Sequence, residues 1–168
     1  MENAKTVELL TETPLAVIAC ANETVLQDFL KFLSIEYGKP IEECAVDEID
    51  KINPMDSEIV IVRGIRNCHG KQKLQTAQKL TAIKDIAKVH NAHFIVPLEQ
   101  IDCEPHLVTA QLRGMLLRTP EDEWREINMF NLRCNNDGLK LECEFGPNAG
   151  WYIIYDYNAS DGQVEEKR

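Results

Sequence analysis

The sequence predicts an α/β protein: a small three-layer βαβ unit with a parallel sheet, Rossmann-like or P-loop-like, followed by a C-terminal antiparallel β-meander. Three observations carry this. Short runs with apolar centres, Leu15–Cys20, Glu58–Arg63 and His93–Leu98, are each followed by a stretch with apolar residues at helical spacing. Strand followed by helix, three times over, implies parallel pairing through crossovers. After Trp124 the pattern changes to three strand-like runs joined by turn signals. A chain of 168 residues holds one core, or one core with an appendage.

Residues 1–13 read as a short helix or loose arm, ended by Pro14. Leu15-Ala-Val-Ile-Ala-Cys20 is apolar throughout, the mark of a strand buried on both faces. Asn22 suits a helix N-cap; Val25, Leu26, Phe29, Leu30, Phe32 and Leu33 recur at helical spacing, and Gly38 ends the run. Pro40 fits a first helical turn, and Ile41, Ala45, Ile49 and Ile52 repeat every three to four residues, so a second short helix is expected before Asn53-Pro54.

Glu58–Arg63 is the second strand, and Arg63–Gly70 a glycine-punctuated loop. A long helix runs from about Lys71 to His90, with Leu74, Ala77, Leu80, Ile83, Ile86 and Ala87 on one side. His93–Leu98 is the third strand, and Glu104-Pro105 opens a helix ending near Arg118-Thr-Pro120. The domain layout is then an arm over 1–13, an α/β core over 14–120, a meander over 121–157 packed on the core, and a frayed polar tail over 158–168. The meander strands are Ile127–Cys134, Leu139–Phe145 and Trp151–Tyr157, with turns at Asn135–Gly138 and Gly146–Gly150.

Composition narrows the class. No apolar run approaches the roughly 18 to 20 residues of a membrane helix. Residues 1–13 carry Glu2, Lys5, Glu8 and Glu12, which is no export signal. The six cysteines are scattered and form no Cys-x-x-Cys pair, as suits reduced thiols in a cytoplasmic protein. The net charge of -10 is uneven: residues 1–62 hold 4 basic and 13 acidic side chains, 63–98 hold 7 and 1, and 99–168 hold 7 and 14. A basic loop-helix-strand unit thus lies between two acidic ones.

Ligands of open α/β sheets bind beyond the carboxyl ends of the parallel strands. Three loops leave those ends: Cys20–Thr24, Arg63–Gly70 and Glu99–His106. Their shared rim collects Asn22, Thr24, Arg66, Asn67, His69, Asp102 and His106. The candidates for holding phosphate are Arg63, Arg66, Asn67, His69, Lys71 and Thr24.

Two resemblances attach to these loops. Thr24 stands where a phosphate-binding loop has its hydroxyl, but the segment has no glycine and Glu23 occupies the lysine's place. Val17–Leu30 resembles the opening of a nucleoside monophosphate kinase with its phosphate loop eroded, which implies lost catalysis. Ile61-Val-Arg-Gly-Ile-Arg-Asn67, Leu74-Gln-Thr-Ala77 and Phe94-Ile-Val-Pro97 are similar to the second half of phosphopantetheine adenylyltransferases, over about 60–98. That similarity implies phosphate-facing roles for Arg63 and Arg66. The family's N-terminal nucleotide motif is absent, and Asp102-Cys-Glu-Pro-His106 replaces its serine-rich motif. The two resemblances exclude each other as ancestry, and the chain is assigned to neither.

His90-x-x-His93 and Cys103-x-x-His106 have metal-ligand spacing, but a strand of about 17 Å separates them. Cys68, His69, Cys103 and His106 could in principle meet on the shared rim, but nothing visible orients them, so neither a metal nor any other cofactor is expected. Trp151, Tyr152 and Tyr155 are candidates for an interaction face, with core cover as their ordinary use.

These features favour a non-catalytic acidic interaction protein, regulatory or inhibitory, on a degenerate nucleotide-binding-type scaffold, as small acidic regulators and viral inhibitors are built. Its partner would be another protein with a basic surface. The alternative is a nucleotide- or coenzyme-handling enzyme of transferase or kinase type. It would use the Arg63–Asn67 loop for phosphate and His69 or Asp102 for proton transfer. Direct nucleic-acid binding through the basic middle segment is disfavoured by the overall acidity. Self-association stays open.

Overall fold

A computed structural model describes residues 7–39, 41–66, 70–101, 103–116, 126–135, 138–145, 150–155 and 165–167. Eight strands form one sheet in the order β2-β3-β4-β1-β5-β6-β7-β8. The fold is Rossmann-like α/β, with a parallel part and a C-terminal antiparallel part, as the sequence predicts.

β1 (Leu15–Ala19) is buried at all five residues. It pairs in parallel with β4 on one side and β5 on the other. Such two-sided burial is why its sequence is apolar without alternation. α1 (Glu23–Tyr37) starts where Asn22 Oδ1 accepts from Val25 N at 3.2 Å and stops at Gly38, whose φ of 71° suits glycine. β3 (Ile59–Arg63) and β4 (His93–Leu98) fall on the predicted runs. A 3-10 turn at Gly70–Gln72 leads into α2 (Lys73–His90), and α3 spans Pro105–Leu116.

The predicted helix over 41–52 is corrected. Glu42–Ala45 is instead strand β2, followed by a 3-10 turn over Val46–Lys51. β2 pairs in parallel with β3, through Glu42↔Val60 to Ala45↔Arg63. A free β3 edge would leave buried backbone groups unpaired, and that tertiary demand overrides the local periodicity. The four apolar residues also divide: Ile41 packs toward α1, while Ile49 and Ile52 pack on the other face. One residue of α2 is corrected as well. Leu74 is exposed, and Lys84 is buried in its stead, held by Asp85 at 2.9 Å and Glu126 at 3.6 Å.

Two apolar layers flank the sheet. α2 and α3 cover one face with Leu15, Val17, Phe94, Val96, Ile127 and Met129. α1 and the helical residues 7–10 cover the other with Ala16, Ile18, Ile59, Ile95 and Phe130. β5 (Ile127–Asn135) runs parallel to β1, and β6 (Gly138–Phe145), β7 (Gly150–Tyr155) and β8 (Glu165–Lys167) continue the same sheet antiparallel. Thus the meander joins the parallel part edge to edge, and 165–167, in the polar tail, pair with β7. The predicted helix end at 118–120, Trp124, Tyr157 and the centres of both meander turns lie outside the described residues.

Candidate functional site

The connection leaving β1 runs to α1 on one face, while those leaving β3 and β4 run to α2 and α3 on the other. β1 and β4 are neighbours, so their connections diverge over the carboxyl edge. Such a switch point opens a crevice. It is a cavity of about 400 Å³ lined by Cys20, Ala21, Asn22, Val25, Glu104, Pro105, Leu132 and Arg133. A polar chain joins α3 to β5 and β6: Thr109 Oγ1 donates to Asn131 Oδ1 at 3.3 Å, and Asn131 Nδ2 donates to Glu142 Oε1 at 3.4 Å. Glu142 is also 3.7 Å from Arg133.

The densest electrostatics lie at the ends of β3 and β4. Arg63, the last residue of β3, is enclosed by carboxylates from three separate elements. Its Nε donates to Glu99 Oε2 at 3.0 Å, its Nη1 to Glu43 Oε1 at 3.5 Å and its Nη2 to Glu23 Oε1 at 3.4 Å. Glu99 is 8% exposed. Its Oε2 also accepts from Gly64 N at 2.6 Å, while its own N donates to Ile65 O at 2.9 Å. Gly64 has φ of 104°, a conformation in which a β-carbon is strained. Arg66 pairs with Glu99 through a backbone bridge.

Burial pushes the Glu99 carboxyl up, but the Arg63 hydrogen bond, the Gly64 N–H and the charges of Arg63 and Arg66 outweigh it, and the group sits below its ordinary range. Arg63 is held further charged, first by its hydrogen bond to Glu99 and then, against burial, by Glu99, Glu43 and Glu23. Hence Glu99 is a carboxylate fixed through Oε2, held in its charged form, and a poor proton acceptor. Two guanidinium groups, Arg63 and Arg66, beside three carboxylates leave one net negative charge at this corner of the rim.

Arg63 ends β3 and Arg66 pairs with Glu99 just beyond it, with carboxylates already on Arg63. Thr24 is exposed in the first turn of α1, one of whose free N–H groups is already taken by Asn22. Lys71 lies in the 3-10 turn before α2, where Gly70 N donates to Gln111 Oε1 at 2.8 Å. Asn67, Cys68, His69 and Asp102 lie outside the described residues. Trp151, Tyr152 and Tyr155 belong to β7, whose backbone alone is described. His90 and His93 sit at the amino end of β4, where His93 Nδ1 lies 3.3 Å from Thr13 O; Cys103 and His106 sit beyond its carboxyl end. Among the described residues no group of three His, Cys, Asp or Glu side chains could hold a metal ion. No helix among them is long and apolar enough to cross a membrane.

Sequence reasoning missed Glu43 and Glu99. The available signals were the acidic residue directly after the apolar run His93–Leu98, and a lone Arg ending an apolar strand, which needs a counter-charge; Glu43, inside β2, carried none. No protein-family model matches the chain, and no curated protein matches it.

Proposed function

We propose that this chain is a non-catalytic interaction protein, regulatory or inhibitory, that uses its acidic carboxyl-edge rim to hold a basic surface of another protein. The observation that carries the reading is the enclosure of Arg63 by Glu23, Glu43 and Glu99. The side chain best placed to bind phosphate is already neutralised, and the surplus is negative. An incoming phosphate would have to displace three carboxylates and meet their repulsion; an incoming Lys or Arg would meet attraction. Closure of α1 by Asn22 points the same way. A cytoplasmic setting fits the scattered cysteines.

The test is capture of a partner by the full chain from its native source, compared with the variant carrying Glu23→Lys and Glu43→Lys. Both side chains are more than half exposed, so the fold tolerates the exchange. The expected result is one stoichiometric protein, released by high salt and lost in the variant. Equal capture by both forms overturns the rim assignment. The switch-point cavity favours a second reading, the nucleotide-handling enzyme, since cofactors of such sheets bind there. That reading predicts thermal stabilisation by nucleotides, about 2.7 kcal/mol at a hundredfold excess over Kd.

A further inference from the structure

β2 is the end strand of the sheet, and among the described residues it pairs with β3 alone. Its outer edge carries backbone N–H and C=O groups without a strand to receive them. The two faces of that edge differ in shape and in charge. On the α1 face, a groove of about 460 Å³ runs between α1 and β2–β3. Leu30, Ile41 and Ile61 form its apolar lining, and Asp28, Lys31, Glu43 and Arg63 bring charges of both signs to it. On the other face stand Glu42 and Cys44, with Asp47 and Glu48 in the following 3-10 turn. Burial first, and then the nearby charges of Glu42, Glu48 and Glu43, disfavour the Cys44 thiolate. None of Glu42, Asp47, Glu48 and Asp50 has an ion-pair partner among the described residues.

We infer that the β2 edge receives, as an added strand, an extended segment of the partner protein in which lysine or arginine alternates with apolar residues. This rests on the proposed interaction function and names the surface and the form of its partner. Strand addition takes its affinity from main-chain hydrogen bonds and its specificity from alternate side chains. Successive residues of the added strand point to opposite faces. One set lays apolar side chains into the groove against Leu30, Ile41 and Ile61. The other set meets Glu42 and Glu48. Acid on this second face selects base there, and the groove on the first face selects apolar residues at the alternate positions. A second copy of the chain is the wrong occupant, because antiparallel β2–β2 pairing would gather four glutamates along one seam.

The experiment uses the full chain and three end-capped probes: alternating Lys-Val, the same peptide N-methylated at alternate residues, and oligolysine. Affinity is read by fluorescence anisotropy at about 50 mM and about 300 mM salt. Site is read by amide hydrogen exchange. The expected result is binding of Lys-Val with new protection confined to 42–45 and its flanks. N-methylation should weaken it at least about tenfold, because one edge of the probe loses its donors. Glu42→Gln with Glu48→Gln should weaken it about tenfold.

Equal binding of the N-methylated probe, or protection elsewhere, overturns the strand addition while leaving an acidic interaction protein in place. No binding of Lys-Val or oligolysine at low salt overturns both. Protection of 42–45 that grows with protein concentration and without any probe assigns the edge to a second copy and overturns the inference.

Discussion

Replacing Glu99 by Ala removes the group that ties the ends of β3 and β4 together. Two interactions go with it: the charge-assisted bond from Arg63 Nε at 3.0 Å and the bond from Gly64 N at 2.6 Å. A hydrogen bond to a charged group contributes about 1.5–3 kcal/mol, and a buried donor left unsatisfied costs about 1–3 kcal/mol. Arg63 is partly exposed, at 21%, and keeps Glu23 and Glu43, so the sum is discounted toward the low end. The expected loss is about 2–4 kcal/mol. In a domain of 168 residues each kcal/mol moves Tm by about 2–4 °C, so Tm should fall by about 5–15 °C. Glu99→Gln keeps one acceptor and loses the charge, and should cost about half as much. Circular dichroism melts and urea titrations of the two variants, with Arg63→Met for a double-mutant cycle, give the numbers. The cycle should show coupling of about 1–2 kcal/mol. A loss below about 0.5 kcal/mol for Glu99→Ala, or no coupling to Arg63, refutes the role given to this pair.

Three further outcomes follow from the same geometry. The Glu99 carboxyl is depressed in the folded chain, so its contribution is full above the unfolded value, about 4.3, and is lost as pH falls through the lower folded value; the stability gap between wild type and Glu99→Gln, measured by urea titration, should be constant above about pH 5 and close below about pH 4, and a gap that widens in acid contradicts this. Asn128 lies fully buried in β5 beside Ala16 of β1, and neither its Nδ2 nor its Oδ1 has a hydrogen-bond partner; Asn128→Leu, of similar volume, should therefore raise stability by about 1–3 kcal/mol in thermal melts, and a comparable loss would show that the amide is satisfied in solution. Burial first, and then Glu42, Glu48 and Glu43, push the Cys44 thiol up; iodoacetamide followed by peptide mapping should label Cys44 more slowly than a cysteine peptide at pH 8, and Glu42→Gln with Glu48→Gln should speed it.

What the sequence conveys depends on how local each cause is. β1 and β4 are legible because burial on both faces writes itself as an unbroken apolar run. α1 is legible because its cap, its apolar face and its terminating glycine all lie within its own residues. β2 is not, because Glu42-Glu43-Cys44-Ala45 has no strand character of its own and becomes a strand only by lying against β3. The parallel placement of β5 beside β1 has the same origin, since a strand's partner is not written in its composition. At the rim, Arg63 was singled out from its place after an apolar strand. Its carboxylates come from 40, 20 and 36 residues away in the chain, and only the assembled sheet edge brings them together. That assembly changes the meaning of the residue, from a free cation awaiting phosphate to the neutralised centre of an acidic corner.

The sign of the ligand at that corner is therefore the quantity to measure. Titrating the full chain by calorimetry with ATP, and separately with oligolysine, at about 50 mM salt asks the question directly. The arrangement of Glu23, Glu43 and Glu99 around Arg63 predicts heat and saturation with oligolysine, weakening as salt rises, and none with ATP. Saturable ATP binding that is lost in Arg63→Met, with no response to oligolysine, would contradict it.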